Sequence, residues 1–176
     1  FLTPIVLSNM QLNQKGANIP FAGEFNNCFV TIGGSGATLG MVIFIAFFAK
    51  SAQLGALGKA SVVPAFFNIN EPILFGMPVV YNPYTAIPFF LAPMASMSMA
   101  YFAISMHWVK PMIAQPAWPT PLGLSGFIGT AGDWRAIVLA FVCALVAFLI
   151  WFPFIKFYDG KLYKDEQAKG AAEAAA

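Results

Sequence analysis

The chain has 176 residues, of which 59% are hydrophobic and only 9% charged, with a formal net charge of +2 and a mean hydropathy of +0.73. Soluble domains carry about a quarter charged residues, so the composition excludes an ordinary water-soluble domain and argues for an all-α integral membrane protein. The small, dispersed positive charge argues against a nucleic-acid partner. Cys28 and Cys143 stand alone without CxxC or Cys/His spacing, so no disulfide framework, metal site or cofactor is expected, and both are read as buried.

In chain order, residues 1–35 read as an extracytoplasmic-side segment leading into the first span. The chain opens on "FLTPIVLSNM", without an initiator Met or a signal-peptide pattern, and is expected to be the C-terminal part of a longer protein. A bilayer crossing needs about 20 mostly apolar residues. Three stretches qualify: about 36–57, with Lys50 able to snorkel; 84–106, uncharged and interrupted by Pro88 and Pro93; and 134–154, with Trp134 and Trp151 as interfacial anchors.

Lysines follow the first and third spans: Lys50 and Lys59, then Lys156, Lys161, Lys164 and Lys169. The positive-inside rule puts both ends in the cytoplasm, so the second span runs the other way. Residues 156–176 are then a cytoplasmic tail or linker. Ten of the 13 prolines lie between residues 60 and 132, in segments too greasy for loops and too proline-rich for straight helices. Irregular backbone survives at membrane depth only where protein buries it or water lines it. Segments 62–83 and 111–132 are therefore expected to be re-entrant hairpins or broken helices, which in transporters build the substrate site.

Within the first of these lies "NINEPILFGMPVVYNP", and Glu71 is one of only two charges between Ala60 and Gly132. A carboxylate at membrane depth costs roughly 2.5–3.5 kcal/mol on insertion scales and is a functional-site hypothesis by default. Pro72 is expected to push Glu71 away from helical geometry. Asn68, Asn70 and Asn82 surround it with amide donors and acceptors. A carboxylate with primary amides suits a polyhydroxy ligand, whose hydroxyls donate and accept at once. It also suits a proton or sodium ion, and a structural role in capping a helix terminus stays open.

"GGSGATLG" fails the dinucleotide and phosphate-loop patterns. Its Gly36 and Gly40 form a GxxxG suited to close helix packing. Trp118, among Pro116, Pro119 and Pro121, is a rigidly presented indole that suits an interfacial anchor as well as a ligand platform.

The stretch "VVPAFFNINEPILFGMPVVYNP" resembles the asparagine–glutamate–proline signature of enzyme IIC, the membrane permease component of sugar phosphotransferase systems, in its lactose/cellobiose/chitobiose branch. "FVTIGGSGATLG", "KSAQLGALGKASVVP", "WPTPLGLSGFIGTAGDWRAIVLAFV" and "WFPFIKFYD" are similar to the same family in the same order, from about Phe25 to Asp159. The resemblance implies a homodimeric permease of the bacterial inner membrane with about ten transmembrane helices and two re-entrant hairpins per protomer. This chain would be most of its sugar-binding half, the dimer contact lying in a missing N-terminal half. The disaccharide would be phosphorylated on its C6 hydroxyl at the cytoplasmic face by a cysteine of a separate IIB domain, itself charged by IIA.

Carried over, the motif's glutamate falls on Glu71, oriented towards the reactive hydroxyl region, and its asparagine on Asn70. The tryptophan that stacks on a sugar ring falls on Trp118, and Gly33, Gly34 and Gly36 lie where backbone approaches the chamber. The family's partner histidine has no match; His107 stands in the wrong place and is read as interfacial. The alternative function is an ion-coupled secondary transporter with Glu71 as proton or sodium ligand. A membrane-embedded enzyme would want a second catalytic group beside Glu71.

Overall fold

A computed structural model describes residues 2–79 and 81–174, and every regular element among them is helical. The helices are α1 (Thr3–Gln14), α2 (Leu39–Phe48), α3 (Ala52–Phe66), α4 (Glu71–Gly76), α5 (Pro83–Ser105), α6 (Leu124–Gly129) and α7 (Trp134–Ala174), with a π-helical turn at Asn26–Val30. Among the described residues, α5 and α7 are long and apolar enough to cross a membrane.

These two helices pack on each other through small side chains. Ala92, Ser96, Ala100 and Ala103 of α5 are buried, as are Ala136, Ala140, Cys143 and Ala147 of α7. Spacings of three and four residues put each set on one helix face. Where lipid is as apolar as leucine, small faces that let backbones approach are what hold helices together. The Ser96 hydroxyl donates to the Cys143 carbonyl at 3.3 Å across this seam.

Pro88 and Pro93 do not break α5, contrary to the interruption expected there; the helix is continuous over its 23 residues. A helix packed along its length tolerates the missing N–H groups because neighbouring groups re-satisfy the backbone. Just beyond its end at Ser105, His107 with φ of +59° turns the chain so that the Trp108 N–H reaches the Ala103 carbonyl at 3.0 Å, a common helix stop.

The first expected span, 36–57, is not one helix. It divides into α2 and α3 at Ala49–Ser51, where the backbone is extended. The cause lies on α7. Buried Asp159 accepts the Lys50 N–H with both oxygens, each at 3.0 Å, and the Ser51 N–H at 2.9 Å. Glu166 accepts the Ser51 hydroxyl at 2.7 Å and the N–H groups of Ala52 and Gln53 at 3.0 and 3.2 Å. Two carboxylates thus receive amides that an unbroken helix would have bonded internally, and they sit at the favourable, positive end of α3. Ser51 adds a local cap, its Oγ accepting the Leu54 N–H at 3.2 Å.

Beyond residue 155 the chain stays helical as far as it is described: α7 runs unbroken for 41 residues, through Pro153. One further expectation is corrected here. Trp151 is not an interfacial anchor, being fully buried with its indole N–H on the Gly36 carbonyl at 2.9 Å. Trp134, by contrast, is well exposed.

The N-terminal segment is stapled to residues 104–114. Asn13 donates to the carbonyls of Ile19 and Met112 at 2.9 and 3.1 Å. Gln14 donates to Ile113 at 2.7 Å and Asn18 to Ile104 at 3.0 Å. Side-chain amides here take up carbonyls that the irregular chain at 107–114 and the end of α5 leave free.

Candidate functional site

The site is assembled from the glycine loop 31–38, the turn between α3 and α4, and the loop before α6. The glycine loop closes on itself. The Thr38 hydroxyl donates to the Gly33 carbonyl at 2.7 Å, and the Leu39 N–H reaches the Ile32 carbonyl at 3.3 Å. Two of its glycines are there because a side chain would collide. At Gly34 (φ +93°) a Cβ would stand 2.4 Å from Asn70 Cγ, and at Gly36 (φ +83°) 2.3 Å from the Phe89 ring.

The α3–α4 turn is held against that loop by its two asparagines. Asn68 adopts φ +60°, a conformation asparagine tolerates better than most residues. Its Oδ1 accepts the Gly33 N–H at 2.8 Å and its Nδ2 donates to the Trp118 carbonyl at 3.2 Å. One amide therefore joins segments 35 and 50 residues away. Asn70 is buried, and its Nδ2 donates to the Ser35 carbonyl at 2.7 Å and the Thr38 hydroxyl at 3.3 Å. Its backbone carbonyl receives the first amides of α4, those of Ile73 and Leu74, both at 3.0 Å.

Glu71 is the first residue of α4 and Pro72 the second. The expectation that Pro72 would hold Glu71 out of helical geometry is corrected: the break falls one residue earlier, at Asn70. Proline fits the first helical turn because the N–H it lacks would have had no partner there. Glu71 is exposed, so the carboxylate projects from a backbone that both neighbouring asparagines have fixed. Asn82 stands apart from this network, its Oδ1 accepting the Tyr84 N–H at 3.0 Å to cap α5.

Trp118 is 53% exposed and is presented by a loop anchored at both sides. Glu24 accepts the Gln115 side-chain amide at 2.8 Å and also receives that of Asn27. The Ile113 and Ala114 N–H groups reach the Gly129 carbonyl at 2.8 and 3.0 Å. The structure thus brings Gly33, Gly34, Gly36, Asn68, Asn70, Glu71 and the Trp118 loop into one assembly, with an exposed carboxylate and an exposed indole as its free groups. A groove of about 920 Å³ between α5 and α7, near Trp108 and Trp134, contains none of these residues.

Sequence reasoning missed four supports: Ser35, Thr38, Glu24 and Trp151. Thr38 was the most accessible of them, as a hydroxyl closing a glycine run just before an apolar helix is a familiar turn device. The indole of Trp151 under Gly36 left no local signal, since 115 residues separate the two.

Comparison with known proteins places these features in company. A family model described as phosphotransferase system, EIIC matches residues 2–93. The cellobiose-specific EIIC component of a phosphotransferase system from Lactococcus lactis subsp. lactis (strain IL1403) is 43% identical over 144 residues, 82% of this chain and 29% of that protein. The lichenan permease IIC component of Bacillus subtilis (strain 168) is 37% identical over 172 residues, 94% of this chain and 38% of that protein. The crystal structure of the transporter ChbC, the IIC component from the N,N'-diacetylchitobiose-specific phosphotransferase system, matches with a TM-score of 0.88 at 36% identity, over 94% of this chain and 40% of that one. The chain therefore spans between 29% and 40% of the length of these relatives.

Proposed function

The chain belongs to the phosphotransferase-system EIIC family, and on that premise we propose that it is the sugar-handling part of a membrane permease for a disaccharide of the cellobiose, chitobiose or lactose type. Transport is coupled to phosphorylation of the sugar's C6 hydroxyl by a cytoplasmic IIB partner, which IIA charges. The names of the relatives support the sugar class. The observation that carries the reading is the Asn68 bridge, which ties the glycine loop at Gly33 to the Trp118 loop one turn before Glu71.

The chemistry follows from what is left free. An ionised carboxylate is acceptor-only and takes charge-assisted hydrogen bonds from sugar hydroxyls. The Trp118 face packs on the apolar C–H face of a pyranose. Asn68 and Asn70 use their amides on the chain itself, so they position Glu71 and Trp118, while Gly33, Gly34 and Gly36 keep the chamber wall thin. Both cysteines are buried and lack the accessible thiolate a phosphoryl carrier needs, which fits a donor cysteine on a separate IIB domain. α5 and α7 lie in the bilayer of the bacterial inner membrane, with the C-terminus of α7 cytoplasmic, and the working unit is a homodimer. Segments 62–83 and 111–132 act as the re-entrant elements, with 36–155 as the translocation domain.

The test is equilibrium binding of cellobiose, chitobiose and lactose to the full-length purified protein, with Glu71→Gln and Trp118→Ala beside it. One disaccharide is expected to bind, and each variant to lose at least tenfold in affinity, about 1.4 kcal/mol. Equal binding by Glu71→Gln would remove the carboxylate from sugar recognition. No binding of any sugar, together with uptake driven by protons or sodium, would replace the proposal with ion-coupled transport.

A further inference from the structure

A second feature lies at the opposite end of α5 from His107. Lys156, Gly160, Lys164, Phe157 and Lys161 fall on one face of α7 about 140° wide at 3.6 residues per turn. With Tyr84 from the first turn of α5, they line a groove of about 380 Å³. Its floor is open, since a Cβ at Gly160 would have nothing within 4 Å. Its wall is aromatic: the rings of Tyr84 and Phe157 lie 5.0 Å apart. The Lys161 ammonium sits 5.7 Å from the Tyr84 ring and that of Lys156 5.5 Å from the Phe152 ring.

The charges are not neutralised by the nearest acids. Asp159 and Glu166 lie on the other side of α7 and are turned onto α3; Asp165, exposed, lies at the far edge of the lysine face. The first turn of α5, a helix of 23 residues, adds the positive end of its dipole. Depth points to the ligand. The lysines begin where the apolar run of α7 ends, at the level of headgroups if α5 and α7 span the bilayer, and Phe157 is 60% exposed among them, as interfacial aromatics are.

From this we propose that the groove is a binding site for the headgroup of an anionic phospholipid, the phosphate seated among Lys156, Lys161 and Lys164 over Gly160. Basic pockets between membrane helices on the cytoplasmic side bind such headgroups. The proposal rests on the membrane placement given above, and sugar binding serves as its independent control.

The experiment measures retention of phosphatidylglycerol and of phosphatidylcholine by the full-length protein in detergent, by native mass spectrometry, with inorganic phosphate as a competitor. Each lysine near a charged membrane surface contributes roughly a fivefold effect, so Lys156→Gln/Lys161→Gln/Lys164→Gln is expected to lose roughly a hundredfold. Gly160→Leu keeps every charge but fills the floor and is expected to lose retention too. Lys50→Gln/Lys59→Gln is expected to behave as wild type. Cellobiose binding reports whether each variant is folded; if the triple variant is not, Gly160→Leu decides. Equal retention of phosphatidylcholine, undiminished retention by the folded variants, or displacement by inorganic phosphate at concentrations equal to the lipid's would each overturn the proposal. So would a triple variant that keeps the lipid and binds sugar but no longer supports phosphorylation of that sugar by IIB, which would make the groove a protein-docking surface.

Discussion

Replacing Asn70 by aspartate changes one NH₂ into one oxygen, and the site is built to reject it. The Nδ2 group donates to the Ser35 carbonyl at 2.7 Å and the Thr38 hydroxyl at 3.3 Å from a side chain that is 5% exposed. Two lost hydrogen bonds remove about 1–3 kcal/mol, and the Ser35 carbonyl left facing an oxygen adds roughly 1–3 kcal/mol. The sum is about 2–6 kcal/mol, equivalent to roughly 4–24 °C in melting temperature for a chain of this size. Asn70→Ala loses the bonds without the repulsion, so melting temperatures should fall in the order wild type, Ala, Asp. Thermal unfolding followed by tryptophan fluorescence measures this, with cellobiose titration alongside. Because the Asn70 carbonyl also starts α4, sugar affinity is expected to fall in the same order. An Asp variant that melts with wild type, or above Ala, would refute the bracing role of Asn70.

Further predictions concern the same scaffold. Gly34→Ala forces a Cβ to within 2.4 Å of Asn70 Cγ at φ +93°; strain of about 1–3 kcal/mol is expected to lower both melting temperature and sugar affinity, and unchanged values would show that the loop yields freely. Asp159→Ala strands the amides of Lys50 and Ser51, so hydrogen exchange at residues 50–54 should rise sharply, with Asp159→Asn intermediate because it keeps one acceptor. The Ser51 hydroxyl first, then the Ala52 and Gln53 amides, hold the Glu166 carboxyl below its ordinary range. A lowered carboxylate stabilises above its unfolded value and loses that effect as pH falls through the folded one. Relative to a Glu166→Gln control, protection at 51–54 is therefore expected to persist through the usual glutamate range and to fade only at lower pH. Trp118→Phe should keep more sugar affinity than Trp118→Ala; the reverse order would argue against stacking.

How much of this was readable along the chain depends on how local each cause is. α5 and the apolar part of α7 follow from long uncharged runs, which a bilayer-depth helix requires. Glu71, Asn70 and Trp118 stood out because charge, amide and indole are rare in such surroundings. The division of 36–57 into two helices was not readable, because its cause, Asp159, lies 108 residues from Ser51. Trp151 misled for a related reason: near the end of an apolar run an indole suggests an interface, and only the Gly36 carbonyl beneath it shows otherwise.

Taken alone, the order of residues determined the apolar helices, the proline-broken segments between them and the polar groups that had to be functional or costly. These are properties of a residue and its near neighbours: transfer energies, backbone limits and helix period. Tertiary structure alone decided which amides were free to meet a ligand and which were taken up inside the chain. A hydrogen bond is satisfied by whatever lies within about 3 Å, and here that partner is often 35, 50 or over 100 residues away.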